Sequence, residues 1–151
     1  MSGEPRIRVS ALLTCEGMVL LCKHRKAGRE YWLLPGGGVE SGESMHVALV
    51  RELGEETGLE GLTVAGPIAI AESIAPADTL PRKHVVHVIF HSELDGRSVE
   101  ELNSGDGAVH GHGLVSRAEI GSIDLRPPIH GFLERWRPGD PFAHLGELWA
   151  R

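Results

Sequence analysis

Cysteines, aromatic residues and long apolar runs are all scarce in this chain of 151 residues. Its two cysteines are too few for a small disulfide-stabilised scaffold, and we expect both to be reduced thiols. No apolar run approaches the roughly 20 residues of a membrane helix. The charged N-terminus lacks the apolar stretch of a signal peptide. These absences predict a cytoplasmic protein that has no membrane partner.

Positive charge is also in short supply. The chain has 15 Lys and Arg against 21 Asp and Glu, which gives a formal net charge of −6. An acidic protein is a poor binder of long nucleic acids, because phosphate backbones attract basic surfaces. The length and the 41% hydrophobic content are typical of a single globular domain over residues 1–151.

Three carboxylates lie close together in the segment 37–59. Glu52, Glu55 and Glu56 have the spacing that places side chains on one face of a helix. They come just before Gly58, which should end that helix, so the negative end of its dipole lies beside them. A divalent cation would turn both of these repulsions into attractions. The pattern therefore predicts a metal site, against the alternative of a solvated acidic face.

A glycine-rich segment leads into this helix. Residues 34–43 read LPGGGVESGE and hold four glycines within seven positions. Glycines let the backbone approach a ligand closely, and a loop that opens onto a helix N-terminus suits a phosphate group. Ser41 or Ser44 can cap the helix. The segment therefore predicts a phosphate site at the start of the helix and a cation site near its end.

The spacing of these residues resembles the signature of the Nudix hydrolases. The signature runs through Gly37, Glu43, Arg51-Glu52-Leu53, Glu55-Glu56 and Gly58-Leu59, with five, seven, one and one residues between these positions. The resemblance implies a mixed α and β (α+β) fold in which a mixed sheet is sandwiched between helices. It also implies a hydrolase that needs Mg²⁺, or Mn²⁺, and cleaves the diphosphate linkage of a small-molecule nucleotide.

The same resemblance implies roles for individual residues. Four positions would bind the metal: Glu52, Glu55, Glu56 and the carbonyl of Gly36. Glu52 or Glu55 would be the catalytic base. Glu43 and Arg51 would form a structural ion pair that holds the helix against the glycine loop and does not touch substrate.

The catalytic base can also lie outside the motif in this family. The corresponding region reads VHGHGL at residues 109–114. His110 or His112 could act there, because a neutral imidazole accepts a proton near pH 7. The alternative is that both are ordinary loop histidines. Glu100, Glu101 and Asp106 are rival candidates.

Substrate contacts and substrate identity stay open. Arg25, in the basic segment 23–29, and the backbone of Gly37 and Gly38 are candidate phosphate contacts, although a short basic loop is a weak signal. ADP-ribose or another nucleotide sugar, a dinucleoside polyphosphate and a nucleoside triphosphate all fit. The alternative function is a non-catalytic nucleotide sensor, which would be expected to have lost part of the carboxylate set.

The apolar pattern predicts the order of the elements. We expect a hairpin over residues 7–22 that turns at Glu16-Gly17 and puts Cys15 opposite Met18. Further strands are predicted at 31–34, 62–74, 83–94 and 114–115, and helices at 44–57 and 127–136. Residues 103–113 are predicted to be a glycine-rich loop. The aromatic C-terminal segment is expected either to close the core, through Trp136, or to form a homodimer surface.

Overall fold

The computed structural model describes residues 4–78, 83–95 and 109–149. Within these ranges the chain forms one mixed sheet, two α-helices and a short 3₁₀ turn at Ile120–Ser122. The strands are β1 (Arg6–Cys15), β2 (Met18–Lys26), β3 (Arg29–Leu33), β4 (Gly36–Gly38), β5 (Ala65–Ile74), β6 (His84–Glu93), β7 (Val109–Ser116) and β8 (Ala143–Glu147). The helices are α1 (Met45–Thr57) and α2 (His130–Arg135).

The sheet has the strand order β3-β2-β1-β6-β5-β8, with β4 paired to β1 and β7 paired to β2. β1 runs parallel to β6 over nine residue pairs. It pairs with β2 only around the predicted turn, where Cys15 lies opposite Met18 as expected. Further along β1, the short glycine strand β4 pairs with Arg8, Val9 and Ser10. The glycines are thus part of the sheet itself.

Helices cover both faces of the sheet, which confirms the sandwich predicted from the family resemblance. Leu49 and Leu53 of α1 pack on one face with β1 residues such as Leu13. On the other face, Leu133 of α2 and Trp136 pack with a second cluster of buried residues. Trp136 is 5% exposed, so it closes the core.

The sequence signals of α1 are local, and the prediction of a helix at 44–57 is confirmed. The Ser44 hydroxyl accepts a hydrogen bond from the Val47 amide at 3.1 Å, which caps the first turn. Gly58 ends the helix with a left-handed φ of 74° and donates its N–H to the Gly54 carbonyl at 2.9 Å. The two caps place the three carboxylates in the last two turns.

Several other predictions were wrong in detail. Residues 109–113 belong to β7, which runs along β2, and are not loop; the earlier part of the predicted loop lies outside the described residues. The basic segment 23–29 is a β-hairpin that turns at Ala27-Gly28. The last helix begins at His130, after two prolines, and β8 was not predicted. Among the described residues, no helix has the length and apolar content of a membrane span.

Candidate active site

Arg51 holds the glycine-rich segment against α1 through contacts with the middle and the end of that segment. Its guanidinium donates to both carboxylate oxygens of Glu43, at 2.6 and 3.2 Å, and to the carbonyl of Gly38 at 3.2 Å. The bond from Arg51 lowers the pKa of Glu43. A two-point ion pair of this kind fixes geometry as well as charge. The structure thus brings Glu43 and Arg51 into contact, and the contact ties the segment before α1 to the helix.

Glu52 lies directly over the glycine strand. A Cβ added at Gly37 would meet the carboxylate carbon and both oxygens of Glu52. Only a residue without a side chain allows this approach, which explains the glycine at position 37. Glu52 also accepts a hydrogen bond from Arg51 at 2.9 Å. Burial nevertheless raises the pKa of Glu52, and the hydrogen bond from Arg51 opposes that rise.

Glu56 is the most deeply buried of the three carboxylates, with 3% exposure. It accepts the Gly36 amide at 3.2 Å, and the Cys22 thiol lies 3.5 Å from the same oxygen. Burial raises the pKa of Glu56 to about 7, although the nearby charge of Arg8 opposes the rise. The hydrogen-bond partners described for its side chain are an amide and a thiol, neither of which is cationic. Its negative charge is therefore poorly compensated within the protein.

Glu55 is the most exposed of the three carboxylates. Its side chain is 55% exposed and lies 3.5 Å from the Arg51 guanidinium. Among the described residues, no three His, Cys, Asp or Glu side chains converge into a ready-made metal site. The structure places the half-buried Glu52 and the buried Glu56 next to the backbone of Gly36 and Gly37. Their hard oxygen donors suit Mg²⁺ or Mn²⁺, and the poorly compensated charge of Glu56 suits a cation.

His112 lies near this pair but with one nitrogen occupied. It stands opposite Cys22 across the β2–β7 pairing. Its Nε2 donates a hydrogen bond to the backbone carbonyl of Glu56 at 2.8 Å, which leaves Nδ1 as the nitrogen that could take a proton. The His110 side chain and the rival bases Glu100, Glu101 and Asp106 lie outside the described side chains.

Arg25 is placed on the β2–β3 hairpin. Its guanidinium is exposed and forms an ion pair with Glu30 on the neighbouring strand, which Lys23 also contacts at 3.4 Å. The bond from Arg25 lowers the pKa of Glu30. No contact described for Arg25 joins it to the carboxylate pair. Gly37 and Gly38, by contrast, lie beside Glu52 and Arg51.

A cavity of about 320 Å³ opens on the face of the sheet opposite α1. Its walls come from four strands, from the residues just before β6 and α2, and from the C-terminal segment: Arg8, Tyr31, Leu33, Ser73, Lys83, Val85, His87, Arg126, Pro127 and Trp149. Arg8 connects this cavity to the carboxylates, because its charge acts on Glu52 and Glu56 while its side chain lines the cavity. The volume is at the lower end of the range for ligand pockets.

Sequence reasoning missed most of the residues around this cavity. Arg8 carried one available signal, since it is a charged residue inside an alternating apolar strand, between Ile7 and Val9. His87 was not among the predicted site residues. The structure places its Nε2 2.9 Å from the Ser73 hydroxyl. Burial lowers the pKa of His87 to about 4, and the charge of Arg8 adds to this effect.

Comparison with known proteins decides the family. The protein-family model described as "NUDIX domain" matches residues 4–142, which is most of the chain. The chain belongs to the Nudix family. This Nudix domain is 32% identical, over 106 residues, to an ADP-ribose pyrophosphatase of Methanocaldococcus jannaschii. The match covers 70% of the chain but only 59% of that relative.

Two further comparisons extend the match. The nucleoside triphosphatase NudI of an Enterobacter species is 37% identical over 132 residues, covering 80% of this Nudix domain and 88% of NudI. The crystal structure of a MutT protein from Methanosarcina mazei superimposes with a TM-score of 0.71 at 24% identity. That match covers 89% of the chain and 94% of the other protein, and it supports the fold alone.

Proposed function

We propose that this Nudix domain is a metal-dependent hydrolase that cleaves the diphosphate linkage of a nucleoside diphosphate joined to another group. The observation that carries the proposal is the buried carboxylate Glu56. A carboxylate with 3% exposure and no cationic hydrogen-bond partner destabilises a folded protein. Such an arrangement is expected where a bound cation completes the site.

Glu52 and Glu56 would hold the metal ion, with the exposed Glu55 and the carbonyl of Gly36 as further donors. The ion, when bound, would neutralise phosphate oxygens and favour attack by water. Arg51 keeps Glu52 over the glycine strand through its bond at 2.9 Å. Glu52 and Glu55 both contact Arg51, and a carboxylate can accept such a bond while it coordinates a cation.

Other residues of the site would bind the substrate phosphates and accept a proton from the attacking water. A metal ion held by Glu52 would bring a phosphate close to the backbone of Gly37 and Gly38, because the Glu52 carboxylate packs against Gly37. Arg8 supplies positive charge between the carboxylates and the cavity, where the substrate diphosphate would lie. Glu52 or Glu55 would accept the proton from the attacking water.

The relatives support the class of reaction and leave the substrate open. One is named as an ADP-ribose pyrophosphatase and another as a nucleoside triphosphatase. Both names describe hydrolysis of a phosphate anhydride in a nucleotide. The proposal therefore covers ADP-ribose, other nucleotide sugars and nucleoside triphosphates.

The test is product analysis on a panel of nucleotides with Mg²⁺, with Mn²⁺ and with EDTA. We expect metal-dependent cleavage of at least one class, and we expect Glu56→Gln to lower kcat by at least about 100-fold. Glu60→Gln is the matched control, because Glu60 is exposed just beyond the motif. Nucleotide binding without cleavage in any metal would favour the sensor function. Unfolding of Glu56→Gln would show that the residue has a structural role.

A further inference from the structure

The cavity opposite α1 is positively charged in an acidic protein. Arg8, Lys83 and Arg126 all line it, whereas the net charge of the whole chain is −6. None of the described lining residues is an Asp or a Glu. Of these three cations, Arg8 is the one whose charge acts on Glu52 and Glu56. Lys83 and Arg126 are therefore available to a different part of the substrate.

Lys83 lies beside other cations. The neighbouring Lys26 ammonium lowers the pKa of Lys83, and Arg6 adds to this repulsion. Like charges placed side by side destabilise the protein, and a bound anion reverses that cost. The crowding therefore points to an anionic ligand at this end of the cavity.

Arg126 is held in place from two sides. Its guanidinium lies 4.4 Å from the centre of the Tyr31 ring and forms two bonds of 3.2 Å with Asp124. An arginine that is stacked and paired in this way loses little side-chain freedom when it binds a ligand. Tyr31 and Trp149 add aromatic surface to the same cavity. The cavity therefore combines fixed positive charge with surfaces that suit a sugar or a base.

We propose that the cavity binds a second phosphate, carried by the part of the substrate beyond the scissile diphosphate, through Lys83 and Arg126. The inference deepens the proposed function and rests on it. A substrate whose distal part is uncharged would cover Lys83 without pairing its charge, which costs free energy, and would leave Arg126 with Asp124 as its partner. A distal phosphate would pair them, so the preferred class is a nucleotide with a separate phosphate on its ribose.

Pairs of substrates that differ by one phosphate test the proposal directly. Suitable pairs are ADP-ribose with its 2′-phosphate, NADH with NADPH, and dephospho-coenzyme A with coenzyme A. We expect kcat/KM to be at least about tenfold higher for the phosphorylated member of a cleaved pair. Lys83→Gln should lower this ratio several-fold. Arg135→Gln should leave the ratio unchanged, because Arg135 is exposed on α2 and does not line the cavity.

A binding measurement in EDTA separates this inference from the proposed function. Adenosine 2′,5′-bisphosphate should bind at least about tenfold more tightly than 5′-AMP. Quenching of tryptophan fluorescence measures the binding of both compounds. Tighter binding of the bisphosphate without hydrolysis of any substrate would support the cavity and contradict the hydrolase. Hydrolysis with equal kcat/KM within every pair would contradict the cavity inference. An equal change in kcat/KM for both members of a pair in Lys83→Gln would also contradict the cavity inference.

Discussion

His87 should make the stability of this protein depend on pH. The side chain is 7% exposed, and burial lowers its pKa from 6.5 to about 4. The imidazole is therefore neutral in the folded protein at pH values where the unfolded chain already binds a proton. Its contribution to stability is complete above pH 6.5 and is lost as the pH falls towards 4.

The size of the effect follows from the two pKa values. A shift of one unit corresponds to about 1.4 kcal/mol, so the full range from 6.5 to 4 amounts to about 3 kcal/mol. Between pH 7.5 and pH 5 the linkage relation gives a loss of about 2 kcal/mol from this residue. The charge of Arg8 is part of this shift and acts in the same direction as burial, and Lys83 and Arg126 line the same cavity.

Urea unfolding at pH 7.5 and pH 5 measures this loss, with carboxylate titration as a common background. His87→Gln should lose about 2 kcal/mol less stability than the unchanged protein over that interval, since a glutamine amide can bond Ser73 without titrating. His46→Gln is the control, because His46 is exposed on α1. Equal losses in His87→Gln and in the unchanged protein would refute the reasoning.

Three further substitutions test the site and the helix. Arg51→Ala should lower the stability measured by urea unfolding, and Arg51→Lys should recover less than half of the loss, because only arginine pairs both oxygens of Glu43; a rate effect at normal stability would contradict this. Gly37→Ala should lower kcat by at least about tenfold, because the new methyl group displaces the Glu52 carboxylate; unchanged steady-state kinetics would rule this out. Gly54→Ala should raise stability by about 0.5–1 kcal/mol at unchanged kcat, since open space surrounds that helical position; a lower melting temperature would argue against it.

The parts of the fold that sequence alone predicted depend on local chemistry. The helix α1 has a serine cap, a glycine stop and apolar spacing, all within 15 residues of chain, 44–58. The β1–β2 turn could also be predicted from local sequence, because Glu16 and Gly17 adopt the positive φ values that a tight turn needs. By contrast, residues 109–113 are rich in glycine and histidine, and they form a strand only because β2 provides a partner.

The candidate site also has a part that local sequence predicted and a part that it did not. The spacing of Glu52 and Glu56 predicted a shared helix face, but not which carboxylate would be buried. That depends on where β4 and Cys22 meet the end of α1. The cavity could not be predicted, because its walls come from segments as far apart in the chain as Arg8 and Trp149. No local pattern records such distances.

Because β4 pairs with β1, substitutions at the adjacent glycines Gly36 and Gly37 should have different effects on the protein. A Cβ at Gly36 would overlap the carbonyl of Val9 and the backbone of Ser10, so any side chain there has to push β1 aside. Since β1 is also paired along nine residues with β6, that push reaches the centre of the sheet. In a random mutant library, substitutions at Gly36 should be recovered as insoluble or temperature-sensitive alleles. Substitutions at Gly37 should be recovered as soluble null alleles, so neighbouring codons would fall into separate phenotypic classes.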